Sequence, residues 1–114
     1  MCIIIRKIKD IEFSPAHGGE GRKREIITNK DIDNPHFDIL NKDYLLKGNF
    51  FDWHKHESSD EIALVIEGKG YVKYKDEDHV KEYEKNDVIL LNAGEMHKIE
   101  ALENSIFYFI RIKE

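Results

Sequence analysis

The chain has 114 residues and a mass of 13.5 kDa, enough for one hydrophobic core but too short for a second independent domain. Apolar residues at 40% and charged residues at 36% exclude a disordered chain. The formal net charge of −5, with cationic and acidic residues interleaved, offers no basic stripe to a nucleic acid. We therefore predict one domain over residues 1–114 that has no nucleic-acid partner.

The N-terminus carries a short apolar run. Ile3, Ile4 and Ile5 are followed at once by Arg6, so the run is far too short for a secretory or membrane-spanning segment. We expect a first β-strand at residues 3–8 and no membrane partner. The single cysteine of the sequence excludes an internal disulfide and fits a reducing, cytoplasmic location.

Residues 9–44 differ from the rest of the chain. They contain Pro15, Pro35, three glycines and alternating charges, and only residues 25–28 have the composition of a strand. Residues 37–40 could form at most a short helical turn. We expect residues 1–44 to supply an N-terminal strand and a mostly irregular arm.

The remaining two-thirds of the chain is a series of short strand-like runs, bounded by Gly, Asn or Asp. Turn signals at residues 67–70 and 75–78 predict two consecutive hairpins. This regular succession of short strands and turns predicts an all-β sandwich or barrel over residues 45–113. The predicted strands are 45–56, 61–67, 70–75, 78–83, 87–91, 96–101 and 105–113.

Several of these strands carry apolar residues on both faces. In 105–113, Phe107 and Phe109 oppose Ile106, Tyr108, Ile110 and Ile112, because successive side chains alternate sides. A strand buried on both sides needs a second layer, either a packed sheet or a neighbouring subunit. We therefore expect a homodimer.

Four side chains have the chemistry and spacing of metal ligands. His54 and His56 are two apart in a predicted strand, so both imidazoles project from one face. Glu61 follows a polar stretch typical of a turn, so its carboxylate can return beside the two rings on the paired strand. His97 stands at the head of a later strand in which Ile99 would face the interior. The sequence predicts that these four side chains bind one metal ion.

The spacing of these residues resembles the first motif of the cupin superfamily. The chain has Gly48, five residues, His54, one residue, His56, four residues, Glu61, six residues and Gly68, which matches that motif without a mismatch. This spacing favours Glu61 over the alternative carboxylates of the same turn. Those alternatives are Glu57 and Asp60.

The second cupin motif, Gly-x5-Pro-x-Gly-x2-His-x3-Asn, is looser here. Gly94 and His97 are in place, while Asn86, Asn92 and Ala101 replace the first Gly, the Pro and the last Asn. The substitutions fall at turns, where Asn enters the left-handed region almost as Gly does. They affect loop geometry rather than the metal ligands.

The resemblance implies a cupin double-stranded β-helix, a jelly-roll barrel of six to eight strands with a metal inside. The arm adds a second likeness: Gly18-Gly19-Glu20-Gly21 is similar to a Gly-rich element that precedes the barrel in some small single-domain cupins. Some of those proteins are described as oxalate-decarboxylase-like or dioxygenase-like. A Gly-rich surface loop is the equally weighted alternative. His36 and His79 are expected at the surface.

Three imidazoles and one carboxylate accept Mn, Fe, Co, Ni, Cu or Zn, so the ion stays open. Two free positions on a six-coordinate ion suit an oxalate-like or α-keto acid, or water and dioxygen. A closed tetrahedral zinc site is the alternative. We expect a cupin that binds or acts on a small carboxylate or similar oxygen-rich ligand, by decarboxylation or dioxygen insertion if it is an enzyme. A non-catalytic sensor or storage cupin, and a metal-free cupin resembling sugar-nucleotide isomerases, are the other hypotheses.

Strand parity places Phe50 and Asp52 on the His54 face and predicts a small, mainly apolar pocket with Asp52 at its edge. The candidate general acids or bases share a titratable side chain in or near the predicted site. They are Asp52, Glu95, Tyr83 and His17. Arg24 would reach an anionic substrate if the arm folded over the barrel mouth. For each of these residues, a solvated surface position is the alternative.

Overall fold

The computed structural model describes residues 3–16 and 21–114, and these residues form an all-β fold of two antiparallel sheets, as predicted. The strands are β1 (Ser14–Pro15), β2 (Arg22–Thr28), β3 (Phe37–Leu45), β4 (Phe50–His54), β5 (Ser59–Glu67), β6 (Lys69–Tyr74), β7 (Asp76–Glu84), β8 (Val88–Leu91), β9 (His97–Ala101) and β10 (Ser105–Lys113). The large sheet has the order β1-β2-β3-β10-β5-β8, and the small sheet has the order β4-β9-β6-β7. Within the described ranges, no helix is long and apolar enough to cross a membrane.

The core lies between the two sheets, where alternate side chains of facing strands meet. Phe107 and Val65 project from the large sheet and Ile99 from the small sheet, and each is at most 1% exposed. The Phe51 ring packs against Phe107, with a centroid distance of 6.1 Å. The jelly-roll core therefore consists of interdigitated apolar side chains, with the metal-ligand candidates at its edge.

The prediction of a strand at residues 3–8 is wrong. Residues 3–7 are not in a strand, and a 3-10 turn covers Ile8–Asp10. The segment is held by one side chain: Arg6 donates hydrogen bonds to the Ile26 carbonyl at 2.9 Å and to both carboxylate oxygens of Asp31. Ile3 stays 94% exposed.

The arm is more regular than predicted. β2 and all but the last residue of β3 lie within residues 9–44 and pair with each other, and residues 37–40 are extended rather than helical. The inner face of β3 carries Asn41 and Asp43 before Leu45, so the apolar alternation that marks a strand is missing there. The Gly18-Gly19-Glu20 element, His17 and Cys2 lie outside the described residues.

The connections also differ from the prediction. β5 and β6 do not form a hairpin, because Gly68, with a φ of 93°, carries the chain from the large sheet to the small one. A Cβ at Gly68 would also overlap Ser105. The second predicted hairpin is present, since β6 pairs with β7 across Lys75. The predicted strand 45–56 is divided between β3 and β4, with Gly48 in the turn at a φ of 85°.

Candidate metal centre

His54 and His97 face each other on neighbouring strands of the small sheet. They are direct register partners of β4 and β9, and their Nε2 atoms are 3.2 Å apart. The ring centroids are 4.4 Å apart. The sequence placed these residues in separate strands, and the antiparallel pairing brings the two strands together.

The backbone fixes the tautomer of both rings. His54 Nδ1 lies 2.7 Å from the Asp52 carbonyl oxygen, and His97 Nδ1 lies 3.0 Å from the Glu95 carbonyl oxygen. A carbonyl only accepts, so each Nδ1 carries a proton, and in the neutral form of either ring the lone pair is on Nε2. A metal ion bound by both Nε2 atoms would stabilise their approach to 3.2 Å. Metal-binding histidines commonly donate their second N–H to a backbone carbonyl in this way.

Glu61 joins these rings from the opposite sheet. Its carboxylate is buried on the inner face of β5, 3.6 Å from His56 Nε2. His54, His56 and Glu61 each offer a ligand atom, and the three atoms lie within 4.8 Å of one another. The prediction that Glu61 returns on the strand paired with the histidine strand is wrong, because β4 and β5 belong to different sheets. The cluster bridges the space between the sheets.

The electrostatics favour a neutral His97 and a charge-balanced Glu61 carboxylate. Burial, reinforced by the neighbouring His54 ring, lowers the pKa of His97 to about 4, so the ring is neutral near pH 7, the form that binds metals. Burial raises the pKa of Glu61, and Arg111 opposes that rise from 3.2 Å. The donor set therefore fits a divalent ion of intermediate softness.

A polar floor, formed by Asn41, Asp43 and Arg111, lies beside the cluster. These residues line a cavity of about 20 Å³ together with His54, Glu61 and His97, and with apolar residues of both sheets. Burial, followed by the charge of Glu61, raises the pKa of Asp43 to about 7. The pocket is small, as predicted, but it is not mainly apolar.

A register shift explains why Asp52 and Phe50 do not line this cavity. The pairing of β4 with β9 slips between Phe51 and His54, so both of these residues face inward despite their odd spacing. Asp52 is exposed, and its Oδ1 accepts a hydrogen bond from the Trp53 amide. Asp52 and Phe50 therefore do not share the His54 face as predicted, because β4 is not a regular strand between Phe51 and His54.

Tyr83 and Glu95 lie on the other side of His97. All three line a cavity of about 350 Å³ between the edges of the two sheets. The Tyr83 hydroxyl is 2.8 Å from Ser105 Oγ, and burial raises the pKa of Tyr83 to about 12. Tyr83 is therefore a poor proton carrier near neutral pH, whereas Glu95 is among the residues that line the cavity.

Arg24 does not lie over the barrel mouth. It is on the side of β2 opposite the buried Lys23, where it donates hydrogen bonds to the Ile11 carbonyl at 2.9 Å and the Tyr44 hydroxyl at 3.0 Å. Its guanidinium stacks on the Phe13 ring, 4.0 Å from the centroid. These contacts hold Arg24 on the outer face of the large sheet.

The competing carboxylates and the remaining described histidines lie outside the cluster. Glu57 is exposed and pairs with Lys55, and Asp60 Oδ1 accepts a hydrogen bond from the Ala93 amide at 2.8 Å. His36 and His79 are exposed, as predicted. Among the acidic residues near this turn, Glu61 is the one that faces the two histidines.

A two-sheet barrel with histidines of one sheet and a carboxylate of the other facing its interior defines a jelly-roll protein of the cupin type. Residues 44–112 match the family model for the cupin domain, Cupin_2, and the chain belongs to this family. The match excludes the N-terminal arm but includes His54, His56, Glu61 and His97.

Individual relatives are distant. The chain is 28% identical over 64 residues to the uncharacterized protein YdbB of Bacillus subtilis, and it spans 56% of that relative's length. A predicted oxalate decarboxylase of Thermotoga maritima superposes with a TM-score of 0.85 at 19% identity, covering 97% of this chain and 100% of that one.

Two further structures extend this comparison. Ectoine synthase of P. lautus gives a TM-score of 0.80 at 16% identity, covering 97% of this chain and 78% of that one. The Bacillus subtilis oxalate decarboxylase studied for its Mn(II) centres gives 0.71 at 22% identity, covering 93% of this chain and 28% of that one. Likenesses at this level of identity establish the fold, and proteins of different activities share it.

Proposed function

We propose that this protein is a metal-binding cupin in which His54, His56, Glu61 and His97 hold a divalent transition metal, and that the centre binds a small carboxylate or similar oxygen-rich ligand. The observation that carries the proposal is the 3.2 Å approach of the His54 and His97 Nε2 atoms, both prepared as lone-pair donors by backbone carbonyls. Mn, Fe, Co, Ni and Zn are all compatible with three imidazoles and a carboxylate.

The bound ion would supply Lewis-acid or redox chemistry to an oxygen ligand. The chain's own residues set the size and polarity of the space beside it. The cavity of about 20 Å³ at the polar floor admits little more than a single oxygen atom, and the cavity of about 350 Å³ beyond His97 is large enough for a small organic acid. A small ligand that enters past Glu95 and His97 would fit both the larger and the smaller cavity.

A second candidate function is a cupin that holds its ligand without turning it over, as a sensor or storage protein. The positions of the acid and base candidates favour it: Asp52 points outward, Arg24 is engaged on the outer face, and the Tyr83 hydroxyl is bonded to Ser105. Sustained turnover of a carboxylate by metal-replete protein, abolished by a chelator, would exclude this alternative.

We also propose a homodimer formed through the outer face of the large sheet. An unbroken apolar row crosses β8, β5, β10 and β3, and a shorter row runs beside it. The first row is Leu90, Ile62, Ile110 and Leu40, and the second is Val88, Leu64 and Tyr108. Val88 is 64% exposed and Leu90 is 60% exposed in the single chain. A second copy would cover this face symmetrically. A cytoplasmic location and the lack of nucleic-acid and membrane partners remain predictions.

Elemental analysis of the purified protein tests the metal centre. We expect close to one transition-metal ion per chain in the wild type, and a loss of at least about tenfold in metal affinity for His97→Ala, since one of four ligands is removed. His36→Ala is the matched control, because the His36 side chain is exposed and bonds only to the Lys113 carbonyl among the contacts described. Equal metal content in the two variants would contradict the proposed role of His97.

A further inference from the structure

The polar floor beside the proposed metal ligands contains buried polar atoms that have no hydrogen-bond partner within the described protein. In the described part of the chain, Asn41 Oδ1, Asp43 Oδ1 and Arg111 Nε are buried without a hydrogen-bond partner. Asn41 is 3% exposed and Asp43 is 7% exposed. Unpaired buried polar groups are rare and costly in folded proteins, so a group of them around one cavity indicates a ligand.

The neighbouring charged groups do not form hydrogen bonds with these three buried atoms. Lys23 is the direct partner of Asp43 on β2, but its Nζ lies 3.3 Å from Glu25 Oε1 at the rim. The Arg111 Nη atoms are directed to Glu61 and Asp38. The Nε–H of Arg111 therefore remains as a donor and Asn41 Oδ1 as an acceptor, while Asp43 Oδ1 accepts when its carboxyl is ionised and can donate when it is protonated.

The ligand that fits must both donate and accept hydrogen bonds. A carboxylate cannot donate to Asn41 Oδ1, and an ammonium group cannot accept from Arg111 Nε. A hydroxyl oxygen does both, because it gives its one proton to Asn41 Oδ1 and its lone pairs accept from Arg111 Nε–H and from a protonated Asp43. The cavity of about 20 Å³ that these residues share with His54, Glu61 and His97 has room for about one such oxygen.

We propose that Asn41, Asp43 and Arg111 form a subsite for one hydroxyl oxygen, so that the ligand of the centre is a small hydroxy acid whose hydroxyl group lies on this floor. A water molecule is the other source of the same chemistry. The inference rests on the proposed function, because the cavity is shared with three of the proposed metal ligands. It adds the ligand class, which neither the four ligands nor the fold specifies.

Calorimetric titration of metal-replete protein with glycolate and with acetate tests the subsite. The two acids differ by one hydroxyl group. We expect glycolate to bind more tightly to the wild type, and the glycolate-to-acetate affinity ratio to fall about tenfold in Asn41→Leu, which removes the acceptor of the hydroxyl proton, and in Asp43→Leu, which removes a second polar contact of the same oxygen. Asp33→Leu, in an exposed turn, is the control and should leave the ratio unchanged.

Metal content and thermal melting of the same preparations separate the possible failures. A wild type that binds no metal contradicts the proposed centre and with it this inference. Folded, metal-replete variants with an unchanged ratio contradict the hydroxy-acid assignment alone. In that case, a crystal structure with a water bonded to Asp43 and Arg111 would assign the subsite to water, and a floor without any bound oxygen would overturn the subsite altogether.

Discussion

Arg111 Nη2 lies 3.2 Å from Glu61 Oε2, and the two residues are direct register partners on the neighbouring strands β10 and β5. The same guanidinium reaches Asp38 Oδ2 through Nη1 at 3.4 Å. Glu61 is thereby oriented toward the space between the sheets. The cation also opposes the rise in the pKa of Glu61 that burial causes.

Removal of this cation should destabilise the metal-free protein. Arg111→Met leaves Glu61 buried without a compensating charge, and we expect the free energy of unfolding to fall by about 3 kcal/mol. Urea denaturation of chelator-treated protein measures the loss. Arg6→Met removes an exposed ion pair with Asp31 and should have a much smaller effect. Equal losses in the two variants would show that burial of the Arg111 pair has no special role.

The raised pKa of Asp43 predicts a pH-dependent stability. The native carboxyl group keeps its proton up to about pH 7, whereas in the unfolded chain it loses the proton near its ordinary pKa of 3.8. The native state therefore binds more protons in this interval, and its stability falls as pH rises, by about 1.4 kcal/mol per pH unit from this group. Between about pH 4 and about pH 7, the free energy of unfolding of Asp43→Asn should rise steadily relative to that of the wild type. A stability difference that does not vary with pH would contradict this assignment.

Gly21 is the last glycine of the Gly-rich element, and its position leaves no room for a side chain. A Cβ there would overlap the ring of Phe51, which lines the cavity with His54. We expect Gly21→Ala to lower the free energy of unfolding by about 1–3 kcal/mol. Phe51→Leu should restore part of this loss in the double variant, as measured by chemical denaturation. Gly48→Ala is the comparison: its strain comes from a φ of 85° with no atom near the Cβ, so Phe51→Leu should not relieve it.

The dimer proposal predicts a solution mass of about twice 13.5 kDa for the wild type. Leu64→Asp introduces a charge at the centre of the outer apolar face and should yield single chains in light-scattering measurements. Val80→Asp is the control, because Val80 is also exposed but lies on β7 of the small sheet. A wild-type mass of one chain at micromolar concentration would rule out the dimer.

The sequence predicted the cluster of His54, His56 and Glu61 through the spacing of these residues, although His56 lies beyond the end of β4 and Glu61 comes from the other sheet rather than from the paired strand. It did not predict Asn41 and Asp43 as part of the site, since polar residues on the inner face of β3 conceal the strand pattern. Arg111 had a usable signal: it shares its strand face with Phe107 and Phe109, which predicts an inward side chain.

Other differences arise from tertiary pairing. The slip between Phe51 and His54 depends on how β4 meets β9, and no feature of β4 alone indicates it. Residues 3–7 have the composition of a strand, yet the Arg6 contacts with Ile26 and Asp31 hold the segment instead of a strand ladder. In both cases the local structure is determined by contacts with residues that are distant in the sequence.

The position of the cluster between the sheets has a kinetic consequence. His54 and His97 belong to the small sheet and Glu61 to the large one, so an ion bound to all three would act as a removable cross-link across the barrel. The sheets could then separate only after the ion leaves. Metal dissociation would set the lifetime of the closed barrel, and chelation should accelerate both its unfolding and its cleavage by proteases.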